Sequence, residues 1–414
     1  MQSAPGLATA ASPDQQSANA APLELSVVLP CLNEAATLGQ CITKVQQVFR
    51  EGNIRGEIIV ADNGSTDESP TIATRMGVRV VHVRNRGYGS ALREGIEAAR
   101  GEYVVIGDTD GSHDLAQIPL FLSRLREGFD LVVGNRFQGG IQSGAMPHLH
   151  RYLGNPVLTR IGRLFFHSPC GDQQCGFRGF SKSAFSRMGL RSSGMEFASE
   201  MVVKATFLRM RINEVPTTHS AAGRNRPPHL RTWQDGWRHL RLMLLHSPRW
   251  LFLFPGALLM VVGLLVGLWL IPGPKTVRGV TFDIHTLLYA ATAVLLGFQA
   301  ITFAAFTKIY AIREGLLPED LALDRLLRFV NLEVGLAAGG ILLVVGLATS
   351  MYAIGSWGVQ HFGDLNPITT MRIIIPAVVA LTLGGQIILS SFFLSVLLLG
   401  KESEKDGSPK ATSE

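Results

Sequence analysis

The 414 residues carry 38 Lys and Arg against 32 Asp and Glu, a net charge of +6, with 47% hydrophobic and only 17% charged residues. A mean hydropathy of +0.23 is high for a wholly soluble chain, and its cause is local, because most of the long apolar runs follow Trp250. The length allows two domains, each with a real core. The four cysteines, Cys31, Cys41, Cys170 and Cys175, show neither zinc spacing nor a dense framework and read as free thiols in a reducing compartment. Arginines thicken over Arg209–Arg249, just ahead of the first apolar run; a basic belt there suits anionic lipid, and no motif supports nucleic-acid binding.

Residues 1–22 are mostly Ala, Ser, Gln and Pro with one charge, Asp14, and lack the basic and apolar regions of a signal peptide. They read as a disordered tail. Order starts at Leu25–Pro30, a short apolar strand stopped by proline and followed by Cys31-Leu-Asn33-Glu34, then a helical pattern from Thr37 to about Arg50. Ile58–Ala61 is a second strand ending in Asp62-Asn-Gly-Ser-Thr-Asp67, a turn in which Ser65, Thr66 or Asp67 caps a helix running to about Met76. Val78–Val83 is a third strand, and Arg84-Asn-Arg86-Gly87-Tyr-Gly89-Ser opens a helix through Ala99. Tyr103–Ile106 is the fourth strand, and it runs into Asp108-Thr-Asp110 and a Gly-Ser turn. Strands alternating with helices imply an α/β fold, a parallel sheet covered on both faces.

Open α/β sheets bind ligands at the carboxyl ends of their strands, so Asn33 and Glu34, Asp62 and Asn63, Arg86, Gly87 and Gly89 converge beside Asp108 and Asp110. Two carboxylates one apart suit a hard divalent cation, Mg2+ or Mn2+, shared with a diphosphate; the plainer alternative is a turn with solvated acids. The glycines permit close backbone approach at a helix N-terminus, a ready anion site. This is not the dinucleotide fingerprint: Gly87-Tyr-Gly89 lacks a third glycine at the right spacing, and Pro30–Glu34 has none. A nicotinamide enzyme is disfavoured.

Pro30-x-x-Asn33-Glu34, Asp62-Asn-Gly-Ser-Thr-Asp67, Gly87-Tyr-Gly89 and Asp108-x-Asp110 resemble glycosyltransferase family 2, with its GT-A nucleotide-sugar fold. Within that family the chain is most similar to the dolichyl-phosphate mannose and polyprenyl-phosphate glucose synthases, through Gly134-Asn-Arg136 and Cys175-Gly-Phe-Arg178-Gly-Phe180. The resemblance covers about residues 25–245. It implies that Pro30, Asn33, Glu34 and Asp62 border the nucleotide, with Arg86 and Gly87 beside them, and that Asp108 and Asp110 hold the metal and diphosphate. Asn63 departs from it, standing where the family more often has a second aspartate.

Leu131–Gly134 is another strand, delivering Asn135 and Arg136 to the same edge. Arg136 suits bidentate pairing with a phosphate or carboxylate and is placed among the catalytic residues; the alternative is a surface arginine. Asn155–Phe166 has the apolar spacing of a helix. In the resembling synthases, Asp172-Gln-Gln-Cys175-Gly-Phe-Arg178 forms part of the sugar and acceptor pocket, which gives Asp172 sugar hydroxyls and Arg178 either the lipid phosphate or the loop to hold. Cys175 reads as a packed small hydrophobe. Glu196 and Glu200 share one helix face, either on a sugar hydroxyl or arginine, or as first-turn acids favoured by the dipole.

The proline-rich basic stretch with Arg224, Arg226 and Arg231 is assigned to the lipid phosphate. The helix that follows carries Trp233, Trp237, Leu240 and Leu244 in one stripe, with arginines off it. It is either an interfacial helix over 231–249 lying on anionic headgroups or an amphipathic helix packed on the nucleotide-sugar domain of 23–230. Four spans follow within 250–400, at about Trp250–Ile271, His285–Thr307, Glu333–Trp357 and Met371–Leu399, before a tail of 401–414. Lys308, Arg313, Arg325 and Arg328 in the second linker, and Lys401, Lys405 and Lys410, outnumber Lys275 and Arg278 in the first; the positive-inside rule puts the catalytic domain and tail in the cytoplasm. Pro318–Val330 is a candidate second surface helix. No ionisable residue lies deep in a span, which argues against a transporter, and span glycines are candidates for oligomerisation.

The expected reaction is transfer of a hexose from a nucleotide sugar (GDP-mannose or UDP-glucose type) to a polyprenyl or dolichyl monophosphate, with inversion at C1. A phosphate monoester is already ionised near neutral pH, so no general base is required. The rival readings are a family 2 enzyme acting on a lipid hydroxyl or growing polysaccharide, and a non-catalytic membrane scaffold.

Overall fold

Leu25, Val27, Val28 and Leu29 lose all contact with solvent on both faces of one strand, the behaviour of a strand with two neighbours and a covered sheet. The computed structural model describes residues 22–223, 232–318, 320, 321, 323, 325 and 331–406, so the tail of 1–21, most of 318–330 and the stretch with Arg224, Arg226 and Arg231 lie outside it. The chain divides into two compact units, Met1–Met243 and Leu244–Glu414.

In the first unit β1 (Leu25–Cys31), β2 (Gly56–Asp62), β3 (Arg79–His82) and β4 (Tyr103–Ile106) alternate with α1 (Ala35–Glu51), α2 (Ser69–Arg75) and α3 (Tyr88–Ala98), as the apolar runs require. After β4 come α4 (Ile118–Arg126), β5 (Leu131–Asn135), the single turn α5 (Arg136–Gly139) and α6 (Asn155–Phe166). Then follow β6 (Arg178–Ser181), α7 (Lys182–Met188), α8 (Phe197–Phe207), β7 (Ile212–Pro216) and α9 (Thr232–Leu245). The seven strands form one sheet in the order β3-β2-β1-β4-β6-β5-β7.

Two strands escape the sequence reading. β6 runs antiparallel between β4 and β5, so the sheet is mostly rather than wholly parallel. Its Arg-Gly-Phe-Ser run has little intrinsic strand preference. It is placed by packing: a Cβ on Gly179 would sit 3.1 Å from Leu125 and 3.3 Å from both Phe121 and Val105, so a larger side chain would crowd the α4 face. β7, with Asn213 and Glu214 in it, is an edge strand pairing in parallel with β5.

α9 reconciles the two readings of its stripe. Asp235, His239, Leu242 and Met243, at i, i+4, i+7 and i+8, are buried. Leu242 and Met243 pack with Phe166 and Val203, and His239 Nδ1 lies 2.8 Å from Ser199 Oγ. Trp233 and Trp237 point the other way, 82% and 58% exposed.

The second unit holds four helices long and apolar enough to cross a membrane, over Arg249–Leu270, Ile284–Arg313, Leu332–Val359 and Pro367–Leu398. They are α10 (Phe254–Leu270) with the turn before it, α11 (Ile284–Arg313), α12 (Leu332–Val359) and α13 (Pro367–Asp406). A short hairpin, β8 (Lys275–Val277) and β9 (Val280–Phe282), joins the first two. Several of their glycines bring helices of the same chain together. A Cβ on Gly297 would lie 2.5 Å from the Met260 nitrogen and 2.6 Å from the Gly256 oxygen; Gly339 and Gly384 abut each other's carbonyls in the same way across α12 and α13. Charges lie at the helix ends. Arg372 meets Asp283 and the Leu270 carbonyl at one end, and Asp320 takes Arg249 and Lys308 at the other.

Gly297→Val should lower stability by about 1–3 kcal/mol by overpacking, whereas Gly340→Val, where a Cβ meets nothing within 4 Å, should cost much less. Thermal unfolding in detergent compares the two.

Candidate active site

The first two βα loops are laced together. Asn33, in the left-handed region at φ 56, accepts from the Thr66 N–H at 2.7 Å. Its own N–H donates to Ser65 Oγ, and that of Glu34 donates to Ser69 Oγ. Asp62 Oδ1 accepts from the Ser65 N–H, and Oδ2 faces His82 Nδ1 at 3.1 Å. Asp67, one of the three candidates for the helix cap, accepts the N–H of Ser69 at the start of α2 and also that of Ala35. Pro30 supplies a carbonyl to Thr109 Oγ1, which fixes the β1 edge to the acidic turn.

That turn lies at the carboxyl end of β4. The Asp108 side chain is 31% exposed, while Asp110 is buried and accepts from the Ser112 N–H at 2.9 Å. Two neighbours absent from the sequence reading attend Asp108. Tyr88 donates its hydroxyl to Asp108 Oδ1 at 2.9 Å. His113 Nδ1 accepts the Asp108 N–H at 3.2 Å, and its ring stacks on Phe177. Burial pushes His113 down to about 4; His219, 5.9 Å away between ring centroids, is likewise lowered to about 4 by burial, with His113 next in effect. Burial, with the Asp108 charge behind it, raises Tyr88 well above the usual tyrosine value. A tyrosine between two glycines and a histidine five residues after an acid are signals too weak to assign without coordinates.

No group of three or more His, Cys, Asp and Glu able to hold a metal occurs among the described residues. The donor set at this edge, two carboxylates, fits a magnesium-like ion that takes its remaining oxygens from water and a substrate diphosphate. It does not fit a metal caged by protein alone.

Gly87 and Gly89 do not form the anion site expected of them. A Cβ at either position would overlap a carbonyl oxygen, of Ser193 or Ser192. The N–H groups are taken as well: Gly87 donates to Asn63 Oδ1 at 3.0 Å, and Gly89 to the Ser193 carbonyl at 2.9 Å. Gly87 needs its φ of 144 to make this approach. Arg86 beside them is exposed.

Arg136 and Asp172 are partners rather than separate ligand contacts. The guanidinium grips the carboxylate through Nε at 2.6 Å and Nη2 at 2.8 Å, with side-chain exposures of 10% and 0%. This corrects two expectations, an Arg136 fork open to a phosphate and an Asp172 open to sugar hydroxyls. Glu214 on β7 holds the Gly171 and Asp172 N–H groups and, through Asn135 Nδ2, the end of β5.

Arg178 is also corrected. It is fully buried and donates to the carbonyls of Cys175, Ala198 and Gln173 at 2.7, 2.5 and 2.5 Å. It fixes the loop and does not reach a lipid phosphate; burial lowers its pKa. Cys175 packs as a buried thiol pushed up to about 11 by burial. Glu200 accepts the Arg191 and Ser192 N–H groups. Burial would raise its carboxyl, but those N–H groups hold it below the usual range. Glu196 accepts the Gly194 N–H. Arg224, Arg226 and Arg231 lie outside the described residues.

The chain matches the family model for glycosyl transferase family 2 over residues 26–189 and that for the family 2 C-terminal transmembrane region over 305–398. It is similar to the low-salt glycan biosynthesis hexosyltransferase Agl6 of Haloferax volcanii, 36% identical over 376 residues that cover 90% of this chain and 89% of that protein. It is also similar to a dolichyl-phosphate hexose transferase of the same organism, 28% identical over 47% of this chain and 81% of that one. Among solved structures, glucosyl-3-phosphoglycerate synthase from Mycobacterium tuberculosis with Mn2+, UDP-glucose and phosphoglyceric acid gives a TM-score of 0.42 at 26% identity, over 54% of this chain and 79% of that one. The chain belongs to glycosyltransferase family 2 and is a membrane enzyme of the hexosyltransferase type, with a catalytic domain built on a mostly parallel α/β sheet.

Arg178→Met removes the donor from three buried carbonyls, each worth about 1–3 kcal/mol, so urea unfolding should show a loss of at least about 3 kcal/mol. A lipid-phosphate ligand would instead leave stability intact and raise KM for the acceptor. Asp172→Ala strands Arg136 in the interior and should destabilise by about 3–5 kcal/mol in the same measurement.

Proposed function

We propose that this family 2 glycosyltransferase moves a hexose from a nucleotide sugar, of the GDP-mannose or UDP-glucose type, to a polyprenyl or dolichyl monophosphate with inversion at C1. The observation that carries the reading is the character of the β4 edge. A partly exposed Asp108 and a buried Asp110 offer carboxylates for a metal-bound diphosphate, while His113 beside them is poorly suited to remove a proton from a hydroxyl. Its Nδ1 is occupied by the Asp108 N–H, so its remaining nitrogen carries the proton. An acceptor that arrives ionised does not need it. The dolichyl-phosphate hexose transferase among the relatives acts on an acceptor of that kind by its name.

An oxygen of the acceptor phosphate forms the new bond to C1 as the bond from C1 to the diphosphate breaks, with its electron pair leaving on the diphosphate oxygen. A Mg2+ or Mn2+ ion held by Asp108 and Asp110 would neutralise that developing charge. The chain's part is to hold the two carboxylates, border the nucleotide with Pro30, Asn33, Glu34 and Asp62, and exclude water. Arg136 serves through Asp172, keeping that loop against the end of β5. Arg224, Arg226 and Arg231 remain the assigned contacts for the acceptor phosphate.

The exposed Trp233 and Trp237, with Arg238 and Arg241 on the same helix, suit the headgroup layer of an anionic bilayer. Arg249, Lys308 and Arg313 gather at one end of the spans. By the positive-inside rule that end faces the cytoplasm, with the catalytic domain on the same side.

Purified protein in detergent with Mn2+ or Mg2+ and a short polyprenyl phosphate, offered GDP-mannose, UDP-glucose and UDP-N-acetylglucosamine in turn, should glycosylate the lipid phosphate from one donor. Asp110→Ala should reduce that rate by about 10²–10³-fold. The rate should rise with pH through about 6, as the monoester takes its second charge, and then stay level. Nucleotide binding without product from any donor would turn the assignment toward a hydroxyl acceptor.

A further inference from the structure

We propose that Tyr88 is the positioning residue for Asp108, and that the Gly87-Tyr88-Gly89 stretch serves to aim its hydroxyl at that carboxylate. The inference rests on the reading of Asp108 and Asp110 as the carboxylates that take the donor's metal-bound diphosphate.

Three independent features of the fold converge on the Tyr88 hydroxyl. The first is the hydrogen bond itself, 2.9 Å to Asp108 Oδ1. The second is the backbone clamp on either side of the tyrosine. Gly87 donates to Asn63 Oδ1; Gly89 and Ser90 both donate to the Ser193 carbonyl; and the 191–193 segment is itself held by Glu200 on α8. With neither glycine able to carry a side chain against those carbonyls, the peptide plane leading into Tyr88 has little freedom, and the ring enters the site from one direction. The third is Gly176 on the opposite flank. A Cβ there would lie 3.1 Å from both Asp108 Oδ2 and the Tyr88 hydroxyl and 3.3 Å from His113 Cε1, so the chain leaves room at this point for the three groups to meet and for nothing else.

The consequence is chemical. Asp108 is partly exposed and sits on a turn, with Oδ2 3.6 Å from His113 Nδ1. Tyr88 supplies the hydrogen bond that orients Oδ1 before any ligand arrives. Outer partners of this kind hold a ligating carboxylate in place, and their removal weakens metal binding by about 10–100-fold.

The test uses the full-length protein in detergent, with Mn2+ titrated by electron paramagnetic resonance alone, with UDP and with GDP. Tyr88→Phe should weaken Mn2+ retention in the presence of the nucleotide that binds by about 10-fold, and should raise the metal concentration for half-maximal transfer by the same factor, with kcat recovering at saturating metal. Gly176→Ala, whose Cβ would crowd both the hydroxyl and Asp108 Oδ2, should give a similar loss, and the double variant should be no worse than either single one. Wild-type Mn2+ retention in a Tyr88→Phe protein that merely melts earlier would overturn the proposal, as would additive losses in the double variant. If Tyr88→Phe does not fold, Gly176→Ala decides alone, and unchanged retention there overturns the proposal. Asp110→Ala separates the two levels: if it too retains Mn2+ fully, the metal reading itself is wrong, and if it loses Mn2+ while Tyr88→Phe does not, only the role of Tyr88 fails.

Discussion

One buried guanidinium ties the catalytic domain's site together. Arg178 begins β6 and is removed from solvent, so its charge persists in the interior only because Nε, Nη1 and Nη2 each find a carbonyl. Those carbonyls belong to separate segments. Cys175 and Gln173 lie in the loop that carries Asp172, and Ala198 lies in α8 beside Ser199 and Glu200. From the first, contact passes to the Asp172–Arg136 pair and the end of β5. From the second it passes through Glu200 to the 191–193 segment, the glycines of α3, Tyr88 and finally Asp108. Of the two roles that the resemblance left to Arg178, a lipid phosphate or the loop, it takes the loop, and from there these contacts reach the acidic edge.

The same economy shapes the other polar groups. Asp62, Asp67, Asn33 and Asn63 spend their oxygens on backbone N–H groups of neighbouring loops, because a converging set of turns exposes many unpaired donors that helices and strands would otherwise satisfy. What is left at the strand ends is a small number of oxygens, which suits the proposed reaction, in which the substrates would carry the charge as a diphosphate leaving group and an ionised phosphate acceptor.

In the second unit the forces differ. Lipid supplies no hydrophobic drive between helices, so close backbone approach at Gly256, Gly297, Gly339 and Gly384 takes its place. The charges at the helix ends pair locally, Arg372 with Asp283 and Lys308 with Asp320, which keeps the apolar lengths free of unpaired ions. α9 stands chemically between these regimes, with a buried face of Asp235, His239, Leu242 and Met243 and an exposed pair of tryptophans.

The sequence by itself determined the α/β character of residues 25–216, the four apolar helices, and the arrival of Asp108 and Asp110 at a strand end. Each of these depends on local periodicity or on a short apolar run, which the chain displays residue by residue. It also determined α6 to its ends, Asn155–Phe166, and the existence of α9, which ends at Leu245 rather than running on to 249. Tertiary structure alone decided the rest. β6 inserts against the parallel order because packing on α4 and β4 outweighs the weak preference of Arg-Gly-Phe-Ser. Gly87 and Gly89 face carbonyls of Ser192 and Ser193, about a hundred residues on, rather than a phosphate. Arg136 pairs with Asp172 across 36 residues, and Tyr88 with Asp108 across 20. A motif states which groups reach an edge. Which of them stay open to a ligand depends on hydrogen bonds between segments far apart in the chain, and those exist only after the sheet has brought the segments together.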